Sequence, residues 1–372
     1  MSATKIFNRN IVLGGALLSS AFITNELIKN NNSSNTQFLK FSPINNQNSS
    51  PNDNHKHYGK ALIAGSGLNA AVTSQKSEQD YQKLYNAIAE KLRDNDEYDE
   101  YIGFGPALVR LAWHLSGTYA QPGFQGCPHQ SGGSFGGTIR EGAEAKEPAN
   151  NGLQNPRKFL EEFHDSNPWI SYGDLYTLGG VVAIQEMGGP KIGWRYGRVD
   201  QGPKFGSTSR LPDASQDADY VRNLFARMGF NDREVVSLIG AHALGSCHVL
   251  APAMPGSEES TGPGSGFTGR WTASPNFMSS EFFRLLLEDK WEWKNWDGPR
   301  QYVNKDDLMM LPTDYALIQD ESYLKWVKIY AYDQERYFKD FAKDFQKLLE
   351  LGIEFPKETK TFYFKTLDDQ EL

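Results

Sequence analysis

The chain has 372 residues, 39% of them hydrophobic, and a formal net charge of -8 at pH 7. Such a composition is ordinary for a globular protein, the length allows one large domain or two modest ones, and the acidic balance argues against wholesale nucleic-acid binding while leaving room for a basic partner. Only two cysteines occur, Cys127 and Cys247, which excludes a disulfide framework. Cys127-Pro128-His129 and Cys247-His248 lack the spacing of a standard zinc module, so two unpaired thiols are the simpler reading.

The first part of the chain has a different character. Lys5 and Arg9 precede an apolar run over residues 11–23, and no acidic residue appears before Glu26. The run falls short of the ~20 apolar residues that a membrane span needs and suits a targeting segment. Asn30-Asn31-Asn32-Ser33-Ser34-Asn35 and residues 45–57 have linker composition. Residues 1–68 are therefore expected to be targeting segment and linker, and residues 75–372 the folded domain. A secretory signal and a mitochondrial presequence with a sorting element both fit the residues.

From Glu78 onward a 3.6-residue period dominates, and the class is mainly α. Leu84, Ile88 and Leu92 form the stripe of a first helix. Gly105-Pro106 starts a second, with Pro106 suited to its first turn. Ser171 opens a third that runs to Met187, and residues 217–228 form a fourth, ended by Gly229. Asn231 and Glu234 resemble a capping box for a fifth, predicted to continue to Leu244. Ser279 or Ser280 is expected to cap a sixth, Thr313 a short one, and residues 321–350 hold two more. The glycine-rich stretches 132–137 and 262–269 read as loops. Long alternating strand patterns and internal repeats are absent.

Arg110, Trp113 and His114 lie at i, i+3 and i+4, which puts them on one face within one helical turn. The surrounding segment is apolar. An Arg paired with a buried acid and a His bonded to a core carbonyl would explain them structurally. Peroxide heterolysis would explain them functionally. It needs a base that takes a proton and returns it to the departing oxygen, which a neutral His114 supplies. It also needs fixed positive charge, which Arg110 supplies while holding the His114 pKa down. Trp113 would wall the pocket and offer its indole N–H.

A second constellation lies further on. Val235, Leu238, Ile239 and His242 fall at i, i+3, i+4 and i+7, so His242 continues an apolar stripe, as either a core residue or a ligand. Gly240, Ala241 and Ala243 are small neighbours that would let a flat macrocycle approach. Asp314, in Pro312-Thr313-Asp314, is a carboxylate at a helix start. Bonded to the Nδ1–H of a ligating His, it would set the tautomer and raise basicity; alternatively it is a simple helix cap.

Val109-Arg110-Leu111-Ala112-Trp113-His114 and Gly240-Ala241-His242-Ala243-Leu244-Gly245 resemble the distal and proximal signatures of the plant, fungal and bacterial haem peroxidases. Trp113, with Gly197-Arg198-Val199-Asp200 and Arg210-Leu211-Pro212-Asp213-Ala214, looks like the intracellular class. Met309-Met310-Leu311-Pro312-Thr313-Asp314-Tyr315 and Phe364-Lys365-Thr366-Leu367 look like the cytochrome c peroxidases of yeast mitochondria. The resemblance runs from about residue 75 to 372.

It implies a mainly α haem peroxidase fold of about ten helices in two lobes with one haem b between them. His114 is implied as the distal acid–base, Arg110 as the charge stabiliser and Trp113 as the distal indole. Asn150 would orient His114, with Asn151 as the alternative. His242 is implied as the axial iron ligand and Asp314 as its partner. Trp271 would carry a cation radical, its alternative being a packed core indole, and His248 would lie near the haem propionates. Hydrogen peroxide would give water, a ferryl haem and an oxidised Trp271, which ferrocytochrome c would reduce. Asp94, Asp96, Glu97, Asp99 and Glu100, with Asp368, Asp369 and Glu371, form acidic clusters implied to dock that basic partner. A monomer is expected, in the mitochondrial intermembrane space or the matrix. Residues 121–130 and 248–266 are longer than the yeast pattern and are expected at the pocket rim or the electron-transfer side. The rival readings are a peroxidase using ascorbate, or a non-catalytic haem peroxide sensor.

Overall fold

The computed structural model describes residues 68–69, 76–124, 129 and 131–370. The targeting and linker reading, apart from Leu68 itself, and Cys127 lie outside those residues. Ten α-helices of eight residues or more run through the described part: α1 (Glu78–Asp94), α2 (Gly105–Ser116), α3 (Gln154–Ser166), α4 (Tyr172–Glu186), α5 (Ala218–Met228), α6 (Asp232–Ile239), α7 (Glu281–Glu288), α8 (Pro312–Gln319), α9 (Glu321–Tyr332) and α10 (Gln334–Leu349). Strands are only two residues long. Leu68–Asn69 pairs in parallel with Ile353–Glu354, and Ser246–Cys247 pairs antiparallel with Gly269–Arg270. Glu292–Trp293, Tyr302–Val303 and Met309–Met310 form an antiparallel trio.

Caps explain where several helices begin. Ser77 accepts from the Asp80 N–H while the Asp80 carboxylate accepts from the Ser77 N–H. Ser171 starts α4 through the Asp174 N–H, and Asp217 starts α5 through the Tyr220 N–H. Asn231 and Glu234 form the expected reciprocal pair at α6. Gly229, at φ 86°, ends α5 in the left-handed region.

Helix α4 is buried on all sides and sits at the centre, against α1, α2 and α3. Its composition explains this: a helix apolar all round has no face to give to water. Gly180 lets α2 approach, because a Cβ at that position would lie 2.5 Å from the Ala112 Cβ. The site-bearing helix α2 is thereby pressed onto the most buried element of the fold.

Two expectations are corrected, one helix is added and one open choice is narrowed. Helix α3 has no counterpart among the expected helices; Pro156 fits its first turn, and Phe159, Leu160 and Phe163 bury it. Helix α6 ends at Ile239, not Leu244, and Gly240–Ala243 continues as a 3-10 turn. A Cβ at Gly240 would meet Phe283 at 2.5 Å, so the chain tightens where it crosses α7. Thr313 does not cap α8: Leu311 holds the cap position, with its N–H bonded to Asp314. At α7, Ser280 holds the cap position without a side-chain bond, while the Ser279 hydroxyl accepts from the Glu281 N–H.

A buried ion pair ties distant segments together. Arg198 and Asp174 meet at 2.8 Å with essentially no exposure. Asp174 also accepts from the Gly197 and Arg198 N–H groups, and Arg198 donates to Ser134 Oγ and the Leu349 carbonyl. Asp200 accepts from the Tyr172 and Gly173 N–H groups at the start of α4. The Gly197-Arg198-Val199-Asp200 motif is thus a clamp on α4. Removing one partner leaves an uncompensated buried charge, so Arg198→Ala is expected to cost about 3–5 kcal/mol, read as a fall in the urea midpoint with an unchanged m-value.

Candidate active site

Helix α2 turns Arg110, Trp113 and His114 into one cavity of about 530 Å³. Its ends explain the orientation: Pro106 occupies the first turn, and Leu108, Leu111, Ala112 and Leu115 hold the other face in the core. His242, Trp271, Asp314 and His248 line the same cavity from elements far along the chain. The cavity lies between the α2 side and the α6–α8 side of one compact unit that contains all the described residues.

On the α2 side, His114 Nδ1 lies 2.8 Å from Asn150 Oδ1, and Asn150 Nδ2 donates to the Glu144 carbonyl at 2.7 Å. The second bond fixes which amide atom faces the imidazole. An amide oxygen only accepts, so Nδ1 carries the proton and Nε2 keeps its lone pair. Burial first, and the neighbouring Arg110 charge second, hold the His114 pKa well below the ordinary value. Arg110 donates to the carbonyls of Asn151 and Ala149 at 2.8 and 2.9 Å and has no carboxylate partner among the described residues. Burial pulls its pKa down to about 10, still charged at neutral pH. Trp113 stacks on Phe225 with centroids 5.5 Å apart, and its indole N–H has no partner among the described residues.

On the opposite side, the 3-10 turn presents His242. Its Nδ1 lies 2.8 Å from Asp314 Oδ1. Asp314, fully buried, also accepts through Oδ2 from Trp271 Nε1–H at 2.8 Å and from the Leu311 N–H at 2.9 Å. It therefore caps α8 and holds the imidazole and the indole at once, so the two readings of this residue are compatible. Trp271 lies against the His242 ring with centroids 4.5 Å apart, and Phe282 meets that ring edge-on at 6.0 Å. A carboxylate only accepts, so the His242 Nδ1 carries a proton, and its Nε2 has no hydrogen-bond partner among the described residues.

A model of the peroxidase family matches residues 86–333. The chain is 52% identical over 315 residues to the mitochondrial cytochrome c peroxidase of Candida glabrata, which covers 84% of this chain and 83% of that protein. It is 51% identical over 299 residues to the protein of that name from Yarrowia lipolytica, with 79% and 81% covered. The Candida albicans protein of the same name is 49% identical over 324 residues, with 85% and 83% covered.

The chain belongs to the peroxidase family.

The residues fit the haem that this family uses. An unpartnered His Nε2 with a carboxylate behind it is the donor set of a proximal iron ligand. The cavity size suits a cofactor, and a buried guanidinium with no counter-ion among the described residues is prepared for negative charge in that space.

Several neighbours were not anticipated. Glu144 anchors Asn150 through its backbone, a contact with no side-chain signature. Cys247 lines the cavity, and burial pushes its thiol up to about 12, which makes it inert. Asp99 bonds His248 Nε2 at 2.7 Å and is only 13% exposed. It is therefore part of the cavity rim rather than a free docking charge, which corrects the reading of that cluster. It sits in a left-handed turn, with Asp99, Glu100 and Tyr101 at φ 54°, 54° and 67°. The long segment 248–266 also reaches the rim, where Gly264 and Thr261 carbonyls accept from Asn151 and Gln154.

The depressed His114 pKa has a measurable sign. With His114 as the acid–base that the sequence resemblance implies, the neutral imidazole is the competent form, so the rate of reaction with peroxide should be flat around neutrality and fall only as acid protonates His114. Arg110→Leu removes the second cause of the depression, so the acid limb should move to higher pH, beside a large drop in rate. An acid limb at the same pH would show that the Arg110 charge is not felt at the imidazole.

Proposed function

We propose that this protein is a mitochondrial haem b peroxidase that reduces hydrogen peroxide to water with electrons from ferrocytochrome c. The observation that carries the reading is the Asp314 carboxylate, which holds both the cavity-lining His242 and the indole of Trp271. Haem supplies the redox chemistry when bound at His242.

The residues divide the work. His114 Nε2 takes the proton from one oxygen of hydrogen peroxide and returns it to the other, which leaves as water. Asn150 holds the imidazole in the tautomer that makes this direction available. Arg110 stabilises the charge that develops on the departing oxygen, with no carboxylate bonded to it among the described residues. Trp113 walls the pocket and can donate to the same oxygens. Two electrons and two protons complete the reduction to water. Trp271 relays the electrons, with its N–H bonded to Asp314 so that the oxidised indole sits beside negative charge. His248, held by Asp99 at the rim, would meet the haem propionates.

The surface near Trp271 supports a basic partner. Ala273 and Ser274, two and three residues beyond Trp271, are exposed. Asn276 donates to the Tyr101 carbonyl at 3.4 Å, and Arg270 lies 3.6 Å from Glu100, so the acidic 94–100 segment borders that exit. Asp96 and Glu97 are exposed and unpaired among the described residues. Asp368 pairs with Arg93 at 2.7 Å and Asp369 with Lys191 at 3.8 Å, so the C-terminal cluster adds less field than its charge count suggests. Docking through such a surface weakens with salt.

Steady-state turnover with ferrocytochrome c and with ascorbate tests the reading. Turnover with cytochrome c should dominate; fast ascorbate oxidation with no cytochrome c activity would sink it, and turnover with neither donor would point to a sensor. His114→Leu should slow peroxide cleavage by about 100 to 10,000-fold in stopped-flow measurements. Trp271→Phe should leave that step near normal and cripple cytochrome c oxidation. Unchanged turnover in Trp271→Phe means that electrons enter elsewhere.

A further inference from the structure

A second cleft, of about 350 Å³ and sharing no lining residue with the main cavity, lies beside the antiparallel trio of strands. Trp293 and Tyr302 form part of its wall, with Ser215, Gln216 and Gln319 opposite. Trp293 is 45% exposed, unusual for an indole that is also part of a stack. Its ring lies against Tyr302 with centroids 3.9 Å apart and planes 23° apart. Tyr302 in turn lies against Tyr315, at 4.1 Å and 28°. Tyr315 follows Asp314 directly in α8, and the Asp314 carboxylate bonds Trp271. Three stacked, oxidisable rings thus run from a solvent-open cleft to the neighbour of the residue bonded to Trp271.

Strand register produces this alignment. Trp293 pairs with Tyr302, and Tyr302 with Met310, in the three-stranded sheet. Paired residues project on the same side, so the two rings must stack, and the short connection from Met310 into α8 brings Tyr315 onto the column. Indole and phenol are among the side chains most readily oxidised by one electron. Packing alone would be served as well by Phe or Leu at these positions.

We propose that this cleft is a second reducing-substrate site, at which small phenols give electrons to Trp293 and through Tyr302 and Tyr315 to the oxidised Trp271. The inference rests on Trp271 being the oxidised residue of the proposed function. Each hop moves one electron inward. The phenol in the cleft loses one electron from its ring and its hydroxyl proton to water, leaving a phenoxyl radical. Two phenols and one hydrogen peroxide give two phenoxyl radicals and two waters. Arg300 lies over the Trp293 ring at 4.0 Å. Its charge raises the potential of the indole, so an oxidising equivalent that reaches Trp293 is a stronger oxidant toward a bound phenol. The cleft suits molecules of one ring and is too small for a protein donor, so it does not compete with the acidic surface.

The test uses the haem-loaded enzyme with guaiacol as the phenol and ferrocytochrome c as the second donor. Trp293→Phe and Tyr302→Phe should each cut peroxide-dependent guaiacol oxidation by about tenfold and leave cytochrome c turnover within about twofold of the parent. Tyr302→Phe keeps the ring and the stack and removes only the easily oxidised phenol, so it reports on electron transfer even if Trp293→Phe folds poorly. A tyrosyl radical signal after one equivalent of peroxide without donor should be present in the parent and weaker in Tyr302→Phe. Guaiacol oxidation unchanged in Tyr302→Phe, or no guaiacol oxidation by a parent that turns over cytochrome c, overturns the proposal. A parent that oxidises guaiacol while cytochrome c turnover is absent contradicts the proposed function instead.

Discussion

A single fully buried carboxylate holds the proximal half of this protein together. Asp314 accepts three hydrogen bonds, from an imidazole, an indole and a backbone N–H, each at 2.8–2.9 Å. A buried charge persists only where such bonds replace its water shell. The three donors belong to the 3-10 turn after α6, the segment after residue 270 and the entry to α8, so one group sets the relative position of all three. It also sets chemistry: it leaves His242 Nε2 free toward the cavity and puts negative charge beside the Trp271 ring.

The distal half follows the opposite rule. Arg110 is charged and enclosed, and among the described residues it answers only to two carbonyls. That incomplete compensation is tolerated because α2 is pressed onto the wholly buried α4, which leaves the guanidinium nowhere else to go. A low-dielectric site makes the remaining field strong. The same field and the same burial keep His114 neutral, and Asn150 keeps its lone pair turned inward. Both imidazoles are oriented through Nδ1–H, which bonds to an amide oxygen in one case and to a carboxylate in the other.

The loops decide what can reach this centre. The left-handed turn at Asp99–Tyr101 spends a local acid on His248 at the rim and leaves Asp96 and Glu97 to solvent. The long 248–266 segment stitches the rim to the start of α3. Away from both, the register of three short strands builds an aromatic column that ends in a separate cleft. Under the two proposals, a large charged donor and a small neutral one would use different faces of the fold.

Much of this was readable in the residues themselves. The mainly α class, the starts at Ser171 and Asn231, and the shared face of Arg110, Trp113 and His114 are local properties, set by side-chain propensity and by 3.6-residue periodicity within a turn or two. Order along the chain, from the distal motif to His242 to Asp314, carried the family resemblance. What the sequence could not determine depends on contacts between distant segments. The early end of α6 comes from Phe283 crowding Gly240. Helix α3 is stabilised by burying Phe159, Leu160 and Phe163, with no cap to announce it. The loss of Asp99 from the acidic surface comes from His248, far away in sequence. Most decisively, only tertiary packing could bring Asp314 to both His242 and Trp271, because a buried charge finds its partners through the fold and leaves no periodic trace in the chain.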